Sequence, residues 1–212
     1  MNLSKKIFAY IKITRPLNVL ITFLVVVVAI LISQSEQLEL YTILLASIAA
    51  SLVAAAGNIV NDIYDIESDK ISHPNRVLVL GKLNKTEVKL EYIILNFISA
   101  IISINLSQTL FAIVFISALL LYIYSAYLKK IPLIGNIVIA LLTGLAFIYG
   151  GFASGNPVAA IVPAVFAFLI NLIREIVKDI QDIEGDTKAG VITFPNKFGF
   201  KKSKILILII TI

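Results

Sequence analysis

The chain has 212 residues but no cysteine, no tryptophan and one histidine, His73. Without cysteine there is neither a disulfide framework nor a thiolate metal site. A single histidine cannot build a polyhistidine zinc centre. Charge is scarce as well: Asp, Glu, Lys and Arg together make up 15% of the residues, against roughly 25% in soluble domains. The net charge of +5 does not point to nucleic acid, because the cations flank apolar runs instead of forming a surface of their own.

What fills the chain is apolar. Hydrophobic residues reach 59% and the mean hydropathy is +0.97, more than a soluble core absorbs. Apolar runs near 17–33, 40–60, 91–107, 109–128, 132–153 and 158–177 each read as a membrane span, and a seventh begins near 204. A span needs about 20 residues, so the seventh is incomplete at Ile212. The first run follows Lys5, Lys6, Lys12 and Arg15 with no small-residue cleavage site after it, which predicts a retained span and not a signal peptide. The expected fold is an all-α polytopic transmembrane bundle, a single domain over 1–212 with six complete spans and the start of a seventh.

The connections set an orientation. Segments 34–39, 107–109 and 154–157 hold no Lys or Arg, and all 18 lie in the N-terminus, 61–90, 129–131 and 174–204. Alternation of neutral and basic loops is the positive-inside pattern. It predicts a cell-membrane protein with its N-terminus and basic loops in the cytoplasm. Spans two and six then run the same way.

Against this background the acids are concentrated. Asp62-Ile63-Tyr64-Asp65-Ile66-Glu67-Ser68-Asp69 recurs 117 positions later as Asp179-Ile180-Gln181-Asp182-Ile183-Glu184-Gly185-Asp186. Nine of the 13 acids lie in these two neighbourhoods, counting Glu175. Both copies fall at the cytoplasmic ends of spans two and six, so a parallel internal duplication is expected, with motifs at 61–69 and 178–186. On a continuous helix each copy presents a carboxylate stripe. Like charges so close call for bound cations. Carboxylates with the amide of Asn61 are hard oxygen donors suited to Mg²⁺, which shares its shell readily with phosphates. Lys70, Arg76 and Lys82 after the first motif, Lys129 and Lys130 between spans, and Arg174 and Lys178 before the second supply the positive side of a phosphate or diphosphate site.

Asn61-Asp62-x-x-Asp65-x-x-x-Asp69 resembles the first aspartate signature of the UbiA superfamily of intramembrane prenyltransferases. Asp182-x-x-x-Asp186, preceded by Asp179, resembles the second. Arg15-Pro16-Leu17-Asn18, His73-Pro74-Asn75-Arg76, Tyr124-Ser125 with Lys129-Lys130, and Gly135-Asn136 extend the likeness over nearly the whole chain. Within the superfamily, the first-span and first-motif runs look most like archaeal-type digeranylgeranylglyceryl phosphate synthases. The resemblance implies Mg²⁺ bridged between a prenyl diphosphate and both motifs. Its ligands would be Asn61, Asp62, Asp65, Asp69, Asp179, Asp182 and Asp186, with Asp65, Asp69, Asp182 and Asp186 catalytic. Arg76, Lys178, Lys129, Lys130 and Lys70 would contact diphosphate, and Asn18, Arg15, Tyr124 and Ser125 would line the acceptor side. It implies transfer of a geranylgeranyl group to the free hydroxyl of geranylgeranylglyceryl phosphate. An aromatic acceptor is the runner-up. The family usually has nine spans, and Val77 and Val79 stand where its loop often carries prolines.

Simpler readings compete. The basic loops satisfy the positive-inside rule without any substrate; Tyr127 suits an aromatic belt; and His73 suits a plain loop position. A cation or phosphate-ester transporter would place ionisable residues at mid-span, whereas here they gather at the span ends.

Overall fold

The computed structural model describes residues 2–34, 38–183 and 192–211. Among these residues every regular element is helical. The order is α1 (Leu3–Ile13), α2 (Pro16–Ser33), α3 (Leu40–Tyr64), α4 (Ile66–Ser72), α5 (Lys85–Leu106), α6 (Gln108–Ala126), a 3₁₀ turn (Leu128–Lys130), α7 (Ile134–Ala153), α8 (Ile161–Gln181), α9 (Phe194–Phe198) and α10 (Phe200–Thr211).

Local chemistry explains the boundaries. Pro16 occupies the first turn of α2, where its missing N–H costs nothing. Asn84 and Glu87 form a reciprocal capping box that opens α5, worth about 1 kcal/mol. A single extended residue, Ser107, separates α5 from α6, and its hydroxyl accepts the Leu110 N–H at 3.0 Å. The sequence marks this boundary only by Ser107-Gln108.

α2, α3, α6 and α7 are long and apolar enough to cross a membrane. α5 and α8, of 22 and 21 residues, match them in length at about 30 Å but carry ionisable residues at one end. One correction follows for the span interiors. α5 starts earlier than its apolar run, so Glu91 lies almost two turns inside it, with Oε2 buried and unpaired among the described residues.

α3 is the central helix, in contact with α2, α5, α6 and α7, and α7 packs in turn on α8. Its buried face is built from small residues, among them Ala46, Ala49, Ala55, Ala56 and Gly57, while bulky side chains such as Phe97, Phe115 and Phe166 point outward. That inversion suits a helix bundle in lipid, where close backbone approach replaces the hydrophobic effect as the packing force. Gly150 shows the closeness: a Cβ there would sit 2.5 Å from Ala29 Cβ and 3.1 Å from backbone atoms of Ala29 and Ile30. Tyr149 is buried in the core formed with Val26, Ile30 and Val53. α1 packs Ala9 and Ile13 against Ile59, Val77, Leu83 and Val88, and Lys6 pairs with Glu87.

Candidate active site at the ends of α3 and α8

The first motif does not form one continuous stripe. α3 ends at Tyr64, Asp65 breaks the helix with φ −96° and ψ 4°, and α4 restarts at Ile66. The break turns Asp69 back, so that Asp62 and Asp69 share one guanidinium. Arg76 donates to Asp62 Oδ1 at 2.8 Å and to Asp69 Oδ2 at 2.7 Å. Arg15 reaches the same Asp62 oxygen at 2.5 Å. Asp65 points the other way and pairs with Lys129. Three carboxylates thus meet three cations, which come from the α1–α2 junction, the segment after α4 and the 3₁₀ turn before α7.

Burial raises the stakes. The side chains of Asp62 and Asp69 are 5% and 6% exposed and that of Arg76 is 22% exposed. Burial holds the Asp69 carboxyl above its ordinary value; Arg76 pulls it down, and Asp62 and Asp65 push it up again. Burial thus disfavours the charged form of Asp69 more than its pairing with Arg76 restores.

Backbone strain marks the same region. Among the described residues, two non-glycines adopt positive φ: Arg15 at 55° and Leu133 at 69°. Such conformations cost of order 1–3 kcal/mol and persist where the surroundings enforce them. At Arg15 the enforcing groups come from α3: Asn58 donates to the Thr14 carbonyl at 2.8 Å, and one turn later Asp62 takes the guanidinium. Leu133 lies between Lys129 and Asn136. Asn136 donates to Asp179 Oδ2 at 2.8 Å. Gly135 admits the 3₁₀ turn, because a Cβ there would stand 3.1 Å from Lys129 Cα.

The second motif ends α8. Asp182 caps it with φ −94° and ψ 6°, nearly the torsions of Asp65, its counterpart in the repeat. Each N–H bonds the carbonyl four residues earlier, Asp65 to Asn61 at 2.9 Å and Asp182 to Lys178 at 3.0 Å. A hollow of about 130 Å³ lies here, lined by residues including Tyr124, Lys129, Asn136, Glu175, Lys178, Asp179 and Asp182. Asp186 and Glu184 lie outside the described residues.

The remaining expected residues divide. Tyr124 and Lys178 reach the hollow, although Lys178 also lies 3.6 Å from Glu175. Lys70 does not reach the cluster; it pairs with Glu67 on an exposed face at 2.8 Å. Its place on α4, one residue past Asp69, turns it away from Asp69. Lys130 and Asn18 are exposed and Ser125 is buried, and Asn61 contributes its backbone carbonyl to the break. Asn58, Asn136 and Glu175 are drawn into the region although sequence spacing does not single them out as site residues, because their roles depend on contacts more than 40 positions away or on helix phase.

The donor chemistry fits Mg²⁺: the acids are hard oxygen ligands, the chain has no cysteine, and the one imidazole nearby is His73, 3.6 Å from Asp69. No three acids among the described residues converge into a ready ligand set, because each acid of the first motif is held by a cation.

The match to the UbiA prenyltransferase family covers residues 19–212. The chain is 37% identical over 203 residues to digeranylgeranylglyceryl phosphate synthase of Methanosphaera stadtmanae, covering 96% of this chain and 74% of that protein. It is 39% identical over 194 residues to the synthase of Thermococcus sibiricus, covering 92% and 70%. A solved structure concerning digeranylgeranylglyceryl phosphate synthase superimposes with a TM-score of 0.87 at 36% identity, over 97% of this chain and 73% of that one. A UbiA homologue from Archaeoglobus fulgidus bound to DMAPP and Mg²⁺ shares the fold, with a TM-score of 0.78 at 20% identity over 95% and 73% of the two chains. With its helical bundle, its paired aspartate motifs and these likenesses, the chain belongs to the UbiA prenyltransferase family of multi-pass membrane proteins.

Proposed function

We propose that the protein transfers a geranylgeranyl group from geranylgeranyl diphosphate to the free hydroxyl of geranylgeranylglyceryl phosphate, with Mg²⁺, at the cytoplasmic face of the membrane. The observation that carries this is the cluster of three cations on three carboxylates. Arg15, Arg76 and Lys129 stand on Asp62, Asp65 and Asp69, beside the hollow that holds Asp179 and Asp182. The names of the relatives support the choice of acceptor.

Asn61, Asp62, Asp65, Asp69, Asp179, Asp182 and Asp186 would hold the metal. When bound, Mg²⁺ supplies charge stabilisation for a departing diphosphate. With the metal on the carboxylates, Arg15, Arg76 and Lys129, which now pair with them, would be free to meet phosphate oxygens. Arg76 offers a planar fork for two oxygens. Asn136 holds Asp179 in one orientation. The apolar helices above the cluster exclude water, which would otherwise capture an allylic cation before the acceptor does.

The test is an assay of the purified protein with geranylgeranyl diphosphate, Mg²⁺ and a panel of lipid-phosphate and aromatic acceptors. Diphosphate release that requires both Mg²⁺ and geranylgeranylglyceryl phosphate is expected. Failure to release diphosphate with every acceptor in the panel would sink the enzyme reading.

A further inference from the structure

A second basic region stands apart from the aspartates. A hollow of about 490 Å³ is lined by Ser4, Lys5, Phe8, Ala9, Lys12 and Lys82, a volume in the range of small-molecule sites. Residues 5, 8, 9 and 12 share one face of α1, so two lysines flank an apolar strip, and Lys82 enters from the segment after α4. Among the described residues none of these three lysines has a carboxylate partner, while their neighbour Lys6 is paired with Glu87. The hollow is bounded by the same two segments that deliver Arg15 and Arg76 to Asp62. Lys12 lies in the last turn of α1, three residues before Arg15.

We propose that this hollow binds the phosphate of the acceptor, an isoprenoid glycerol phosphomonoester, with the start of its chain against Phe8 and Ala9. The inference rests on the transferase reading. A transferase joining a prenyl diphosphate to a lipid phosphate must hold two strongly anionic groups near one reaction centre. Sharing one cation set would set them against each other. Arg15, Arg76 and Lys129 would be taken up by the metal–diphosphate site, and Lys5, Lys12 and Lys82, which have no carboxylate partner among the described residues, form a separate cation set for the second phosphate. Ammonium groups on flexible stems suit a monoester, which needs point charges and no fixed fork. The apolar strip adds burial for the isoprenoid. The competing occupant is bulk anionic lipid of the leaflet, which also attracts lysines.

The test uses a Lys5→Gln/Lys12→Gln/Lys82→Gln variant and its Lys→Arg counterpart, each in zwitterionic nanodiscs and in nanodiscs with anionic lipid, with geranylgeranylglyceryl phosphate and its dephosphorylated alcohol as acceptors. The Gln variant is expected to raise KM for the phosphate acceptor about 10- to 100-fold, on the order of what three partly exposed ion pairs with a phosphate contribute together. KM for geranylgeranyl diphosphate should stay within about twofold, the dephosphorylated acceptor should not distinguish the variants, and the Arg variant should recover most of the affinity. An unchanged acceptor KM overturns the proposal, and so does an equal rise for both acceptors. A rise seen only when the discs contain anionic lipid assigns the hollow to the leaflet and overturns it too. Wild-type protein that releases diphosphate only to a different acceptor refutes the acceptor identity itself, and the proposal with it.

Discussion

Replacing Arg76 with alanine tests the charge cluster most directly. The change removes hydrogen bonds of 2.8 and 2.7 Å to two carboxylates that are 5% and 6% exposed. Breaking a buried pair from one side costs about 3–5 kcal/mol, because a charge is left behind. Asp62 keeps Arg15 at 2.5 Å, so the uncompensated charge is chiefly Asp69, whose remaining partner is His73 at 3.6 Å. A destabilisation of about 2–4 kcal/mol follows, on the order of 5–15 °C in Tm for a chain of this size. Thermal unfolding in detergent measures it. Two further arms separate charge from packing. Adding Asp69→Asn to Arg76→Ala should recover most of the stability but no activity. Mg²⁺ should raise the Tm of Arg76→Ala more than that of the wild type, since a cation can replace the missing one. A double variant as unstable as the single would refute the argument, because the destabilisation would then come from packing of the segment after α4.

Other expectations concern positions around the cluster. Asn136→Ala frees Asp179 and should cost 10- to 100-fold in Mg²⁺ affinity, on the order found for groups that orient metal ligands; a Mg²⁺ titration of diphosphate-dependent protection checks it. Gly150→Ala meets backbone atoms of α2 at 3.1 Å, whereas Gly57→Ala meets the end of the Leu121 side chain at 2.8 Å. The first should cost about 1–3 kcal/mol or more and the second clearly less, which parallel melts would show. Asp182→Asn removes an exposed acid from a helix C-terminus and should raise the stability of the ligand-free protein slightly, by roughly 0.3–1 kcal/mol, while abolishing the extra stabilisation by Mg²⁺ with prenyl diphosphate.

Much of the bundle is legible from composition, because lipid demands long apolar helices and leaves few alternatives. The six long helices fall near the six apolar runs, and Ser107 ends one and starts the next. The ends are less legible. Apolar runs report burial in lipid, and α5 and α8 extend into charged sequence where caps and tertiary contacts decide, as at Asn84 and Asp182. The aspartate spacing identifies the acids but not their arrangement. A period of 3.6 assumes an unbroken helix, and the break at Asp65 falls where no proline or glycine announces it. The cations follow the same logic. Arg76 and Lys129 are within reach of sequence argument, Lys70 is not excluded by it, and the grip of Asn58 on the strained junction at Arg15 spans 44 positions.

The repeat is a repeat of backbone as well as of charge. Asp65 and Asp182 end their helices with torsions within a few degrees of each other, and Asp62 and Asp179 lie one turn before them. Acids at a helix C-terminus face the negative end of the macrodipole, which disfavours them by about 0.3–1 kcal/mol each. Stability would place them at the opposite end of α3 and α8, as Glu87 is placed on α5. Burial at Asp69 adds to the penalty. In the first copy Asp65 and Asp69 gain from the N-terminus of α4, which Asp65 opens and whose first turn holds Asp69, and Arg15, Arg76 and Lys129 pair with the acids. The placing of Asp62, Asp179 and Asp182 at helix C-termini stays unfavourable and is intelligible if a stronger cation is its purpose. On the proposed function, the helix ends that disfavour Asp62, Asp179 and Asp182 would favour a divalent ion, and Arg15, Arg76 and Lys129 would become available to an anion that arrives with it.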